Sequence, residues 1–192
     1  MSNIHADELR PSAACAERRD LLFIGGFEHV PNVDGVLWFV HEILPLIQKK
    51  ISGVRFNVVG SRAPAEIKRL HSDAILVHGF VPDVKPLFST CRLSVAPLRF
   101  GAGVKGKVNQ SLALGLPCVV TSVAAEGMHL TNGVDILIAD DPSGFAQAVA
   151  RVYEDDDLWQ SLSQAGLENI AKHFSFSVAQ DALEKLCGKT AE

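Results

Sequence analysis

Short apolar runs bounded by turn residues alternate along this chain with longer stretches whose apolar positions recur every three or four residues. The short runs, at 21–25, 55–59, 75–77, 93–96, 118–121 and 136–138, predict buried parallel strands. The periodic stretches predict helices over 33–49, 65–71, 84–89, 107–114, 142–153, 157–173 and 177–186. In the first of them Leu37, Val40, His41, Leu44 and Ile47 fall near one face, which packs His41 on its helix. Gly115 is placed to stop one helix and Asp141 to cap the start of another. Strands that alternate with helices in this way imply an α/β fold, a doubly wound Rossmann-like parallel sheet of about six strands.

A length of 192 residues suits one large core, and 47% hydrophobic with 21% charged residues excludes disorder, collagen and coiled coil. A net charge of -4 gives no general attraction to nucleic acid or anionic membrane, so any anion site must come from local groups, and no nucleic-acid partner is expected. Cys15, Cys91, Cys118 and Cys187 are widely separated and form no metal-ligand spacing, so free thiols and no metal are expected. Residues 1–20 lack the apolar stretch of a signal peptide, and no later run approaches the roughly 18 residues of a spanning helix. The expectation is a cytoplasmic protein with no transmembrane segment. Residues 1–20 are polar and alanine-rich, with Glu17, Arg18, Arg19 and Asp20 just before the first apolar run, and read as a linker or domain edge. No internal repeat is present.

In a doubly wound sheet, ligands bind beyond the carboxyl ends of the strands, so chemistry is sought in the loops that follow them. After the first strand, Gly25 and Gly26 permit close backbone approach to a ligand, and the next helix offers free N–H groups to an anion. The stretch Arg99-Phe100-Gly101-Ala102-Gly103-Val104-Lys105-Gly106-Lys107 brings three glycines and three cations to the start of a helix, the composition of a phosphate site. His78-Gly79-Phe80-Val81-Pro82 could offer backbone groups beside an apolar ring to a flat base. Glu126 follows the fifth strand; it could reach a donor sugar or serve as a carboxylate at a helix start. His29, His41, His71, His78 and His129 have no paired carboxylate at motif spacing, which leaves His78 and His129 as loop candidates.

These residues resemble the C-terminal donor-binding domain of retaining group-1 glycosyltransferases of the GT-B fold. The resemblance runs from Asp20 to Leu186. It is carried by Leu22-Phe23-Ile24-Gly25-Gly26 through Asn32, by Asn57-Val58-Val59-Gly60 and by Val77-His78-Gly79-Phe80-Val81. Its most specific part is Gly101-Ala102-Gly103-Val104-Lys105-Gly106-Lys107 followed by Leu112-Ala113-Leu114-Gly115-Leu116-Pro117-Cys118-Val119-Val120-Thr121.

The resemblance implies a nucleoside-diphosphate sugar as donor substrate, no separate cofactor, and the C-terminal half of a GT-B enzyme. It places Gly25 and Gly26 beside the diphosphate, Lys105 and Lys107 as its neutralising charges and the backbone of Phe80 and Val81 at the base, with Asn32 and Gly103 also among the donor-binding residues. Gln110 takes the position at which many relatives hold the ribose with a glutamate. A second glutamate, seven residues earlier in those relatives, falls near Ala102. An amide at Gln110 can still bond a diol but carries no charge. Glu126 is the one candidate for a catalytic role. In such enzymes the donor phosphate assists the acceptor, so the protein chiefly positions reactants and stabilises leaving-group charge.

The implied domain plan is a linker over 1–20, a nucleotide-sugar-binding domain over 21–173 and a crossing helix with tail over 174–192. The acceptor site would come from an N-terminal domain of the same enzyme, and the acceptor would be a glycan or a lipid-linked molecule. The full-length enzyme could then associate peripherally with membrane. Two alternatives stay open at this stage: a non-enzymatic doubly wound ligand-binding module, and a fragment of a sugar-nucleotide epimerase with the same two-domain plan.

Overall fold

A computed structural model describes residues 15–187; residues 1–14 and 188–192, which belong to the expected linker and tail, lie outside the described residues. Six parallel strands form one sheet in the order β3-β2-β1-β4-β5-β6. They are β1 (Arg19–Ile24), β2 (Phe56–Val59), β3 (Ile75–Gly79), β4 (Cys91–Ala96), β5 (Cys118–Val120) and β6 (Leu137–Ile138). The strand order reverses at β1, which pairs with β2 on one side and β4 on the other. Leu21, Leu22 and Phe23 of this central strand are fully buried, as expected of a strand covered on both faces.

Nine α-helical segments are described: α1 (Val30–Trp38), α2 (Leu44–Gln48), α3 (Ala65–Lys68), α4 (Lys85–Thr90), α5 (Gly106–Ala113), α6 (Ser122–Ala125), α7 (Pro142–Glu154), α8 (Asp156–His173) and α9 (Phe176–Cys187). α1, α2 and α7 pack together, and α5 packs on α8. Two hydrophobic clusters follow from this division, one holding Phe39, Phe56 and Phe145 and the other holding Val108, Leu112 and Ile170. Asp141 caps α7 as the sequence predicts, its side chain accepting from Gly144 N at 2.9 Å. Gly115 adopts φ +65 just beyond α5, where a residue with a Cβ would be strained.

Two features depart from the sequence expectation. α1 and α2 are joined by a wider π turn over Phe39–Ile43, because Pro45 has no N–H to continue the α-helical ladder, and Leu44 N–H bonds instead to Phe39 O. The extra residue stretches the buried stripe to Phe39, Ile43 and Ile47 and carries His41 to the exposed side. His41 is therefore not packed against the core. The joined helix Val30–Gln48 has 19 residues and a mean hydropathy of 1.2, enough by length and composition to cross a membrane. In this fold its apolarity goes into the core, where Val36, Phe39, Ile43 and Ile47 have no exposed surface.

The chain enters the sheet at Arg19, two residues before the first predicted strand, because its charges turn inward to partners. Asp20 adopts φ +64 and pairs with Arg55 at 2.7 Å, while Arg55 N donates to the same carboxylate at 3.0 Å. Arg18 is buried, donates to Phe88 O at 2.6 Å and lies 5.1 Å from the Trp159 ring.

Close backbone packing sets the height of the strand ends. A Cβ at Gly60 would lie 2.0 Å from Gly25 O, whereas one at Gly166 would meet only the flexible end of Leu112 at 2.8 Å. Gly60→Ala is expected to cost on the order of 3 kcal/mol in urea denaturation, because backbone must move. Gly166→Ala should change stability by less than about 1 kcal/mol, since the helix gains propensity and Leu112 can shift. Equal effects would show that backbone proximity at Gly60 does not govern the fold.

Candidate functional site

The reversal of strand order leaves a crevice between the carboxyl ends of β1 and β4, and the loops that leave these two strands form its walls. From β1 the chain turns through Gly25 and Gly26 into α1. Asn32 Nδ2 closes this turn by donating to Gly26 O at 2.6 Å. From β4 the chain runs through Leu98 to α5. Thr121 Oγ1 donates to Leu98 O at 2.5 Å, and Arg99 forms a two-pronged ion pair with Asp34 of α1 at 2.9 and 2.5 Å. Gly101 and Gly103 then take φ +128 and +77, conformations open to glycine, and let the chain double back into α5.

Lys105 immediately precedes α5, and its Nζ donates to Gly103 O at 2.6 Å, which folds the loop around its own cation. Lys107 lies in the first turn of α5. Its Nζ donates to Asn32 Oδ1 and stands 4.4 Å from the centre of the Phe23 ring. Gly25 makes room for this arrangement, since a Cβ there would lie 2.7 Å from Lys107 Nζ and 2.8 Å from Asn32 Nδ2. Burial, and secondarily the charge of Lys105, push the Lys107 ammonium down to about 7.

A cavity of about 400 Å³ opens between the two loops, with His29, Pro31 and Asn32 on one side and Phe100, Ala102, Lys105 and Lys107 on the other. It is large enough for a diphosphate with part of a sugar or ribose. Its floor combines two lysines with the first turn of a helix eight residues long, whose free N–H groups and dipole favour an anion.

The structure brings together Asn32, Lys105 and Lys107 in the cavity wall, with Gly25, Gly26 and Gly103 in the turns that support them. Arg99, the third cation of the stretch, is held by Asp34 and stacks over Trp38 at 5.7 Å, which makes it an anchor of the loop. Phe80 and Val81 lie beyond β3, two strands from β1; Phe80 is 73% exposed and neither lines the cavity. Gln110 is half-buried farther along α5 and outside the cavity wall. Glu126 is exposed just after the short helix α6, at its end rather than its start, and is also outside the wall. His78 Nε2 bonds Asn57 Oδ1 at 2.8 Å, and His129 stacks on His173 with ring centres 4.3 Å apart.

Two parts of the site gave no signal in the sequence. The Asp34–Arg99 pair joins residues 65 apart, and the Lys107–Asn32 bond joins residues 75 apart, so neither shows as a local motif. His29 and Phe100 become cavity walls only because the two loops face each other.

Comparison with known proteins agrees with this geometry. An uncharacterized 44.6 kDa protein in the cps region of Klebsiella pneumoniae is 21% identical over 139 residues, which is 68% of this chain and 36% of that protein. The chain thus spans about a third of the length of the curated relative it matches. Among solved structures, TarM of S. aureus superposes with a TM-score of 0.77 at 17% identity, over 96% of this chain and 38% of that one. The C-terminal domain of the glycosyl transferase group 1 family protein LpcC from Francisella tularensis gives a TM-score of 0.72 at 13% identity, over 90% of this chain and 99% of that one. HepE of Anabaena, in complex with UDP-glucose, gives 0.72 at 15% identity, over 91% of this chain and 50% of that one. These likenesses establish the fold as that of GT-B glycosyltransferase domains. A family model described as glycosyl transferases group 1 matches residues 18–155, which is most of the chain, and the protein belongs to that family.

Proposed function

We propose that this chain is the donor half of a group-1 glycosyltransferase, binding a nucleoside-diphosphate sugar whose sugar passes to a glycan or lipid-linked acceptor held by an N-terminal domain. The observation that carries the reading is the convergence of Lys105, Lys107 and the start of α5 on one cavity at the β1–β4 crevice. Diphosphate recognition needs positive charge and free N–H donors together, and this cavity combines them. The reading is supported by the UDP-glucose bound to HepE and by the likeness to LpcC, whose C-terminal domain was crystallised by itself.

In this reading Lys105 and Lys107 stabilise the negative charge that grows on the leaving diphosphate, and Asn32 with Gly25 and Gly26 holds the turn against it. Phe80 and Val81 present backbone to the base, Gln110 offers an amide to the ribose, and Glu126 faces the donor sugar once the acceptor half is in place. No acid stands at Ala102, so sugar hydroxyls are read by neutral groups or by that other half. α9 presents Phe176 and Leu183, 60% and 61% exposed, as the apolar face with which it would cross to the acceptor domain. The turn after β1 is Gly25-Gly26 and carries no acidic cluster such as a receiver-like version of the non-enzymatic doubly wound module would need there, which argues against that alternative.

Isothermal calorimetry tests the charge assignment. Lys105→Ala combined with Lys107→Ala is expected to weaken UDP binding by roughly a hundredfold and uridine binding by less than about threefold, since only the diphosphate presents the charge. Equal losses for both ligands would remove the lysines from a phosphate role. A radiolabelled-sugar assay tests the division of labour. This chain alone, given UDP-sugars and glycan or lipid acceptors, should transfer no sugar above the uncatalysed background, and robust transfer would show that it carries its own acceptor site.

A further inference from the structure

Lys107 is a half-buried amine seated without an anion. Its amine rests on the Phe23 ring and on Asn32 Oδ1, and it forms no ion pair among the described residues. The groups around it do not supply the missing charge. From the β4–α5 loop come Lys105, of like charge, and Arg99, which is bound to Asp34 of α1. From the β1–α1 turn come His29 in the cavity wall and Glu28, whose exposed carboxylate lies over Gly26. The titratable residues of β1 and β4 stand at the opposite ends of those strands, β2 has none, and α5 has only Lys107 itself.

We propose that, above neutral pH, diphosphate binding at this site takes up a proton on Lys107: the free protein, which offers the amine no anion, leaves a growing share of it uncharged, and the entering diphosphate provides the counter-charge that keeps it an ammonium. The inference rests on the donor-site reading. The proton comes from water or buffer onto the amine lone pair, no covalent bond to the ligand forms, and the new ammonium donates to phosphate oxygens. Burial sets the free amine near 7, pushed down to about 7 from the ordinary lysine value, and an adjacent diphosphate raises it. The sign is then fixed: the complex holds more protons than the free protein above pH 7, so affinity falls as pH rises, by up to about tenfold per unit. Below pH 7 the amine is already charged and this dependence fades.

Asn32 is the positioning residue of the device. Its amide oxygen accepts from the lysine in either protonation state, whereas a carboxylate in the same place would favour the ammonium far more strongly.

Calorimetry of UDP and of inorganic pyrophosphate at pH 7.5, in buffers of different ionisation enthalpy, counts the protons taken up. Wild type should exceed Lys107→Arg by roughly 0.7 proton per ligand bound, because arginine stays charged throughout and the difference cancels protons on the phosphate itself. Asn32→Asp should lose the same uptake by a different route, and a Lys107 side-chain NMR titration of the free protein should place the amine near neutrality in wild type and well above pH 9 in Asn32→Asp. Uptake equal in wild type and Lys107→Arg, with UDP still bound, overturns this inference and leaves the donor reading standing. Pyrophosphate binding with uptake but without UDP binding does the reverse, and failure of both ligands to bind removes both.

Discussion

At the carboxyl end of β1 the amine of Lys107, the amide of Asn32 and the bare backbone of Gly25 occupy a space that would not admit one further carbon atom. That contact ties three elements at once: Gly25 belongs to the turn after β1, Asn32 to α1 and Lys107 to α5. Gly60, after β2, stands so close to the same turn that a Cβ there would lie 2.0 Å from Gly25 O. A side chain at either glycine would separate the strand ends or expel the lysine, so the sheet and the cationic site depend on the same few ångströms.

The order of the strands explains why the contact falls there. β1 and β4 are neighbours in space but not in sequence, and their following helices leave on opposite sides, so only here do two loops diverge and leave a crevice. The β4–α5 loop would be loose on its own, with exposed glycines at 101 and 103. Arg99 on Asp34, Thr121 on Leu98 and Lys105 on Gly103 restrain it at three points without using Lys107. The cavity is thus largely preformed, which reduces the ordering cost of any ligand that enters.

Most of the architecture was legible in the sequence because parallel strands buried on both faces leave uninterrupted apolar runs, and the crossover helices leave a different period. All six strands lie within a few residues of the predicted runs. The misses have physical causes. The inward turn of Arg18 and Asp20 depends on partners far along the chain, so a run of charges read as a solvated edge. The π turn follows from Pro45, whose consequence for helix phase moved His41 to solvent. Within the site, Lys105, Lys107, Asn32 and the glycines were visible as composition, whereas the discharge of Arg99 by Asp34 was not, because pairing between two loops leaves no spacing rule.

What distinguishes this site physically is how little fixed negative charge it holds. Ala102 and Gln110 are both neutral, Glu126 stands outside the cavity wall, and Asp34 is neutralised by Arg99. In a low-dielectric crevice, a carboxylate beside Lys107 would lower its energy in the empty protein as much as a phosphate does in the complex, and the attraction gained on binding would be correspondingly smaller. Leaving the lysine without an acid reserves the favourable interaction for an incoming anion. The same economy works against release, because a departing nucleoside diphosphate carries more charge than the sugar nucleotide it came from. If Lys107 holds a diphosphate as proposed, an amine that can give its proton back to solvent eases that release at neutral pH, so the partial burial that would draw Lys107 to a phosphate would also limit how long it holds the product.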